Sequence, residues 1–246
     1  MRSVDLNCDM GEGCGNDAEL MNFISSANIA CGFHAGDIDT MRRTAELAVA
    51  KNVAIGAHPG YRDRENFGRI VMSLSAKEVF NIVCEQIVSM SEICTDLKVP
   101  LHHVKPHGAL YNQAAKDREL AAAIAEAVAS SDPELILYGL SGSMLIDEAE
   151  SAGLRTASEV FADRTYQTDG SLTPRSQSGA MLGDAESSIT QVLQMIESQS
   201  VTAVSGETVP LRAESICIHG DGASAVAIAK SIHESILSRG IIIRAI

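Results

Sequence analysis

The chain has 246 residues, 46% of them hydrophobic, and carries 32 acidic against 19 basic side chains for a formal net charge of −13. That hydrophobic fraction excludes disorder as the main state, and the length suits a single domain over residues 1–246, near the upper size for one core. The acidic balance leaves no basic footprint, which disfavours nucleic acid and anionic membrane surfaces as partners and points to small molecules or other proteins.

No apolar run approaches the ~20 residues of a bilayer span, and the N-terminus enters Val4-Asp5-Leu6-Asn7 without a hydrophobic leader, so a cytoplasmic protein is expected. The six cysteines (Cys8, Cys14, Cys31, Cys84, Cys94, Cys217) include no C-x-x-C pair and read as reduced thiols, most of them small core residues.

In chain order, short apolar runs predict seven strands: Ser3 to Leu6, Phe23 to Ala30, Val53 to Ala57, Val104 to Pro106, Leu135 to Tyr138, Thr156 to Phe161 and Ser215 to Ile218. Helical periodicity occupies 39–51, then the stripe Val79, Val83, Ile87, Met90, Cys94 and Leu97 behind a Ser75/Glu78 capping box, then 118–130, 143–152, 185–198 and 223–239. Asp117 and Asp184 stand where N-caps belong. Residues 201–211 predict a small hairpin turning at Ser205-Gly206, and Ile241 to Ile246 predict either an eighth strand or an edge piece. Strands alternating with helices over about 250 residues predict an α/β fold, a (β/α) barrel, with a doubly wound open sheet as the alternative.

The unusual polar residues gather at the carboxyl ends of the predicted strands, where such folds assemble their sites. Asp5, Asn7, Asp9 and Glu12 mark the first strand, Asn28 and His34 the second, His58 the third, and Lys105 and His107 the fourth. Ser141 and Ser143 follow the fifth, Glu159, Asp163 and Arg164 the sixth, and His219 and Asp221 the seventh. Taken singly, each is most often a turn former or helix cap. Four histidines and several carboxylates at equivalent ends of different strands argue for a site. The flanking glycines, among them Gly11, Gly60 and Gly108, permit tight turns and close approach to a ligand.

His102, His103 and His233 fall elsewhere and read as structural or solvent-exposed. The long loop Tyr166 to Gly179 carries Asp169 and Arg175 and is placed to close over a ligand, and Gly60 to Arg69 is a second excursion of this kind. P-loop, dinucleotide and serine-hydrolase motifs are absent from the sequence.

The segments VDLNCDMGEG, ISSANIACGFHAGD, VAIGAHPGY, HVKPHGALYN, EVFADRTY with DGSLTPR, and ICIHGD resemble, in order and over nearly the whole chain, the LamB/YcsF family. Cys14, Arg62, Asn66, Ile70 and Glu214 stand where the family pattern has Phe, Pro, Gly, Arg and Asp, which bears on loop detail rather than reaction class. The resemblance implies a seven-stranded barrel of the glycoside hydrolase/deacetylase type. It also implies a reaction in which 5-oxoproline, ATP (as Mg-ATP, bringing Mg²⁺) and water give glutamate, ADP and phosphate, with subunits B and C as partners.

A lactam is a stable amide, so its opening calls for cations to hold phosphoryl oxygens, a carboxylate for Mg²⁺ or water, and an acid for the departing nitrogen. On that basis Lys105 and Arg175 are expected to hold phosphoryl oxygens or the substrate carboxylate, and Asp9 and Glu12 to position Mg²⁺ or the attacking water. His58 and His107 are the expected acid and base, with Asn7, Asn28, His34, Asp169 and His219 as binding residues. Two other readings use the same residues: an amide hydrolase or deacetylase with a divalent metal among His34, His58, His107 and Asp9, and a non-catalytic substrate-binding subunit.

Overall fold

The computed structural model describes residues 2–220 and 224–246, so that Asp221 and the predicted start of the last helix at 223 lie outside the described residues. Parallel strands β1 (Ser3–Met10), β2 (Ser26–Ala30), β3 (Ala54–His58), β4 (His103–Val104), β5 (Ile136–Leu140) and β6 (Arg155–Phe161) pair in sequence order. After them, β7 (Ser200–Thr202) and β8 (Thr208–Pro210) form the detached antiparallel hairpin expected over 201–211. The chain then returns as β9 (Ser215–Ile218), which pairs with β6 on one side and β1 on the other. That last pairing closes a seven-stranded parallel barrel and excludes the open sheet. The closing segment is an edge piece: β10 (Ile242–Ile243) pairs only with Ser3 and Val4 at the start of β1.

Helices α1 (Asp17–Leu20), α2 (Ile38–Lys51), α3 (Ala76–Leu97), α4 (Gly108–Ala114), α5 (Arg118–Ser131), α6 (Met144–Ser151), α7 (Ala185–Ser198) and α8 (Ala225–Ser238) complete the fold. The α3 stripe is buried from Val79 to Cys94, and the Ser75/Glu78 capping box is formed in both directions. Asp117 and Asp184 accept backbone N–H bonds at the starts of α5 and α7. The short helices α1 and α4 carry no amphipathic period and were not expected.

Strands β3 to β6 end within two residues of expectation, whereas β1 at its end and β2 at its start move by three or more. β1 runs to Met10 rather than Leu6, because Asp5, Asn7 and Asp9 alternate with buried Val4, Leu6, Cys8 and Met10. The apolar set packs in the hydrophobic core that the helices cover, and the polar set bonds across the barrel interior. β2 starts at Ser26 rather than Phe23, since the Phe23 N–H closes the turn after α1 on Leu20 O and Ser25 Oγ bonds Asp5 and the Leu6 N–H.

The barrel interior is therefore a hydrogen-bonded shaft. At its base Asp5 accepts from Ser25 (2.6 Å), Ser26 (2.7 Å), Tyr138 (3.0 Å) and Ser215. Burial raises the Asp5 carboxyl above its usual range although all four hydroxyls oppose the shift. Above it His103 lies flat on Tyr138, with ring centroids 4.3 Å apart, and bonds Asn28 Oδ1 at 2.8 Å. Room for that ring comes from Gly56, where a Cβ would sit 2.1 Å from His103 Nε2. Read from sequence as lying before its strand, His103 is in fact part of β4 and fully buried; His102 and His233 are half-buried and bond the carbonyls of Ile246 and Phe23.

Candidate active site

The ends of β1, β3, β4, β6 and β9 surround a cavity of about 460 Å³ whose lining includes Asp9, Glu12, His58, Lys105, His107, Arg164, Arg175 and His219. Five of the strand ends that the sequence marked as polar thus meet in one place.

On one wall, Glu12 Oε1 lies 3.1 Å from His34 Nε2, 3.3 Å from His107 Nδ1 and 3.9 Å from His58 Nε2. His34 and His107 stack with centroids 3.8 Å apart and planes 2° from parallel, and His58 stands edge-on to both. Burial, with neighbouring imidazoles, pushes His34 and His107 well below the ordinary histidine range. Glu12 moves the other way: burial and the adjacent Asp9 charge raise it to about 7. Donor atoms of Glu12, His34, His58 and His107 all lie within 4.8 Å of one another, a cluster that can hold a metal ion.

The floor is Lys105. Its ammonium is buried and contacts Asp9 Oδ1 at 2.9 Å, Glu159 Oε1 at 2.8 Å, Asn7 Oδ1 at 3.2 Å and Cys217 Sγ at 3.1 Å. Burial alone would lower Lys105, but Asp9, Cys217 and Glu159 outweigh it and hold the group protonated. Burial would likewise raise Asp9, yet His58 and Lys105 keep its carboxyl ionised, well below the usual range. Both partners gain from the contact, so Lys105 serves as the counter-ion that keeps Asp9 charged.

The opposite wall carries a dyad. His219 Nδ1 bonds the Asp163 carboxylate at 2.7 and 2.9 Å, and its Nε2 accepts from Arg175 Nη2 at 2.8 Å. Asp163 is held below its usual pKa, burial being overcome by His219. The Phe161 ring stacks on His219 at 5.6 Å. Arg175 arrives on the long loop, whose base is tied down by Arg164 bonding the Thr173 and Ala180 carbonyls. The other excursion brings Arg69 to the cavity and Phe67 O to His107 Nε2 at 2.9 Å.

Three expected binding residues lie elsewhere. Asn7 and Asn28 are fully buried beneath the cavity with their amides engaged by Glu159, Ser215, Asn28, Asp9, Lys105 and His103. Their position one pleat below the strand end makes them supports of Asp9 and Lys105. Asp169 is exposed and closes its own turn on the Ser171 backbone and hydroxyl. Ser141 and Ser143 also stay outside the cavity lining: Ser141 Oγ accepts from the Arg212 N–H, and Ser143 stands at the N-cap position of α6 without a capping bond from its side chain. Glu159 and Asp163, marked at the end of the sixth strand without a stated role, join the site, as do Tyr111 and Arg69, which sequence reasoning did not single out.

The LamB/YcsF family model matches residues 4–246. A protein of Tolumonas auensis, named as the A subunit of 5-oxoprolinase, is 54% identical over 250 residues, covering 100% of both chains. The crystal structure of a lactam utilization protein from Thermus thermophilus superposes with a TM-score of 0.93 at 43% identity, covering 99% of this chain and 100% of that one. The peptidoglycan deacetylase PdaC of Bacillus subtilis shares the fold alone, at a TM-score of 0.51 and 10% identity over 99% of this chain and 87% of its own. With the barrel, the strand-end residues and these matches in agreement, the chain belongs to the LamB/YcsF family.

Proposed function

We propose that this chain is the A subunit of an ATP-dependent 5-oxoprolinase, a one-domain cytoplasmic protein that works with subunits B and C to open 5-oxo-L-proline to L-glutamate. The observation that carries the reading is the cavity with ionised Asp9 on one side and the Asp163–His219–Arg175 chain on the other. Full-length similarity to a protein named as the A subunit of 5-oxoprolinase supports it.

A phosphoryl group from Mg-ATP on the lactam oxygen makes the ring carbon electrophilic. Water then adds to that carbon while Asp9, 3.3 Å from His58 Nε2, takes its proton. Once Arg175 has left it, His219 Nε2 takes a proton from solvent and, oriented by Asp163, gives it to the ring nitrogen as the C–N bond breaks; a second water then hydrolyses the resulting acyl phosphate and releases the phosphate. Arg175 leaves His219 Nε2 to meet the anion, and Arg69 and Lys116 on the same lining add positive charge for phosphoryl or carboxylate oxygens. Lys105, already shared by two carboxylates, acts through Asp9 and not on the phosphate directly.

The test is glutamate and ADP production from 5-oxoproline and Mg-ATP, by the chain alone and then with subunits B and C. Activity in the mixture only is expected. Silence in both, with B and C shown to work alongside the A subunit of a relative, overturns the reading. The cluster of Glu12, His34, His58 and His107 favours a second reading, a metal-dependent amide hydrolase acting alone, which ATP-independent hydrolysis by the isolated chain would identify.

A further inference from the structure

The tautomers around His58 and His107 are set by backbone carbonyls. His58 Nδ1 lies 2.6 Å from Lys105 O, so that nitrogen donates to the carbonyl and Nε2 is the atom turned toward the cluster. His107 Nε2 lies 2.9 Å from Phe67 O, so it donates there and Nδ1 is turned toward the cluster. His58 Nε2 and His107 Nδ1 face each other at 2.9 Å. Glu12 Oε1 and Asp9 Oδ2, each 3.3 Å from one of them, add two more acceptors to the same space. Four heteroatoms that can each present a lone pair converge there, an arrangement that one cation placed among them satisfies.

We infer that Glu12 Oε1, His34 Nε2, His58 Nε2 and His107 Nδ1 form a site for one divalent transition-metal ion of the zinc class. Tetrahedral ligands at ~2.1 Å from an ion are about 3.4 Å from one another. The contacts here are 3.1, 3.3 and 3.9 Å from the carboxylate and 2.9 Å between two of the rings. The carbonyl bonds on the far nitrogens of His58 and His107 are the supports that ligating imidazoles usually have. His34 is the exception, because its Nδ1 is buried with no hydrogen-bond partner among the described residues.

The rings are also held in place by the backbone behind them. A Cβ on Gly60 would lie 2.6 Å from His34 Nδ1, and one on Gly68 would lie 2.9 Å from His34 Cβ and 3.1 Å from His107 Cδ2. Two glycines therefore let the chain close against the His34/His107 stack and leave it little freedom to spread.

A donor set of three imidazoles and one carboxylate selects zinc, cobalt, nickel, manganese or ferrous iron over magnesium and calcium. The site is thus distinct in chemistry from the Mg²⁺ that accompanies ATP. Glu12 and His107 border the cavity, so a lactam oxygen or a water would meet the ion on that side and be polarised by it. Only this catalytic part rests on the function proposed above; ion binding does not.

The test begins with the intact chain, treated with a chelator, then given Zn²⁺ or Co²⁺ and desalted. The expected result is one ion per chain by elemental analysis, with the visible absorption of nitrogen-ligated Co²⁺. His58→Ala and His107→Ala should each weaken binding by about 100-fold or more, His34→Ala by less, and His219→Asn not at all. Failure of the wild type to retain a stoichiometric amount of Zn²⁺, Co²⁺, Mn²⁺, Ni²⁺ or Fe²⁺ overturns the site, as does binding that survives both alanine variants. Should those variants not fold, X-ray absorption of the wild-type Co²⁺ form replaces them, and a shell without imidazole nitrogen counts against the site. Glutamate production by the complete three-subunit assembly is scored separately: an ion without glutamate removes the oxoprolinase reading alone, and glutamate without an ion removes the metal site alone.

Discussion

Gly56 on β3 and His103 on β4 occupy one volume: the ring of the second fills the space where the first would carry a side chain. Gly56→Ala therefore drives a methyl into an imidazole stacked on Tyr138 and bonded to Asn28. The expected cost is about 3 kcal/mol or more, beyond what a glycine-to-alanine change does on an open strand. Urea unfolding checks it, and a change below about 1 kcal/mol would show that the shaft is loosely packed.

Lys105 is the cation shared by Asp9 and Glu159. Lys105→Met leaves two buried carboxylates without it and should destabilise by about 3–5 kcal/mol. The double variant Lys105→Met/Glu159→Gln removes one of the stranded charges and should recover part of that loss. A double variant no more stable than the single one would mean that Asp9 alone carries the penalty.

Asp163 fixes the His219 ring through Nδ1. Asp163→Asn should lower turnover of the reconstituted assembly about 100-fold or more, with an unchanged melting profile. Unaltered turnover would exclude His219 as the acid for the ring nitrogen.

The raised Glu12 sets a pH dependence whose sign can be derived. Unfolded, the group ionises near 4.5; folded, near 7. Between those values the folded chain binds more protons than the unfolded one, so the stability of the chelator-treated protein falls as pH rises through that window, by on the order of 3 kcal/mol at most. Glu12→Gln removes this component. Denaturant midpoints of both proteins between about pH 5 and pH 8 test it, and parallel profiles would place the Glu12 pKa near its ordinary value.

Asp9, Glu12, His58 and His107 were legible because each follows an apolar run and adjoins a glycine turn, a pattern that survives without coordinates. Depth was not legible. Asn7 and Asn28 have the same residue type and neighbourhood as the surface of a site, and only the strand register shows them one step down, bonded to each other. Glu159 and Asp163 are near neighbours in sequence, yet the first joins the floor and the second the far wall. The error at β1 has the same origin: alternating Asp and Asn look like a strand's end when strand interiors are assumed to be apolar, and here the barrel axis is polar. Asp169 was misleading because a loop aspartate that closes its own turn has the same signature as one that faces a ligand.

That polar axis ties heredity to chemistry. From Asp5 through Asn7, Asn28 and Glu159 to Lys105 and Asp9, each side chain is the hydrogen-bonding partner of another or of a residue they share, and the uppermost members line the cavity. A barrel filled with aliphatic layers can drift in its interior while its rim keeps a function, or exchange its rim while its interior persists. This one has no such separation. The rim that Asp9 and Lys105 form could be redesigned only together with that axis, so substitutions along it should cost fold and function together, unlike one on the far wall such as Asp163→Asn.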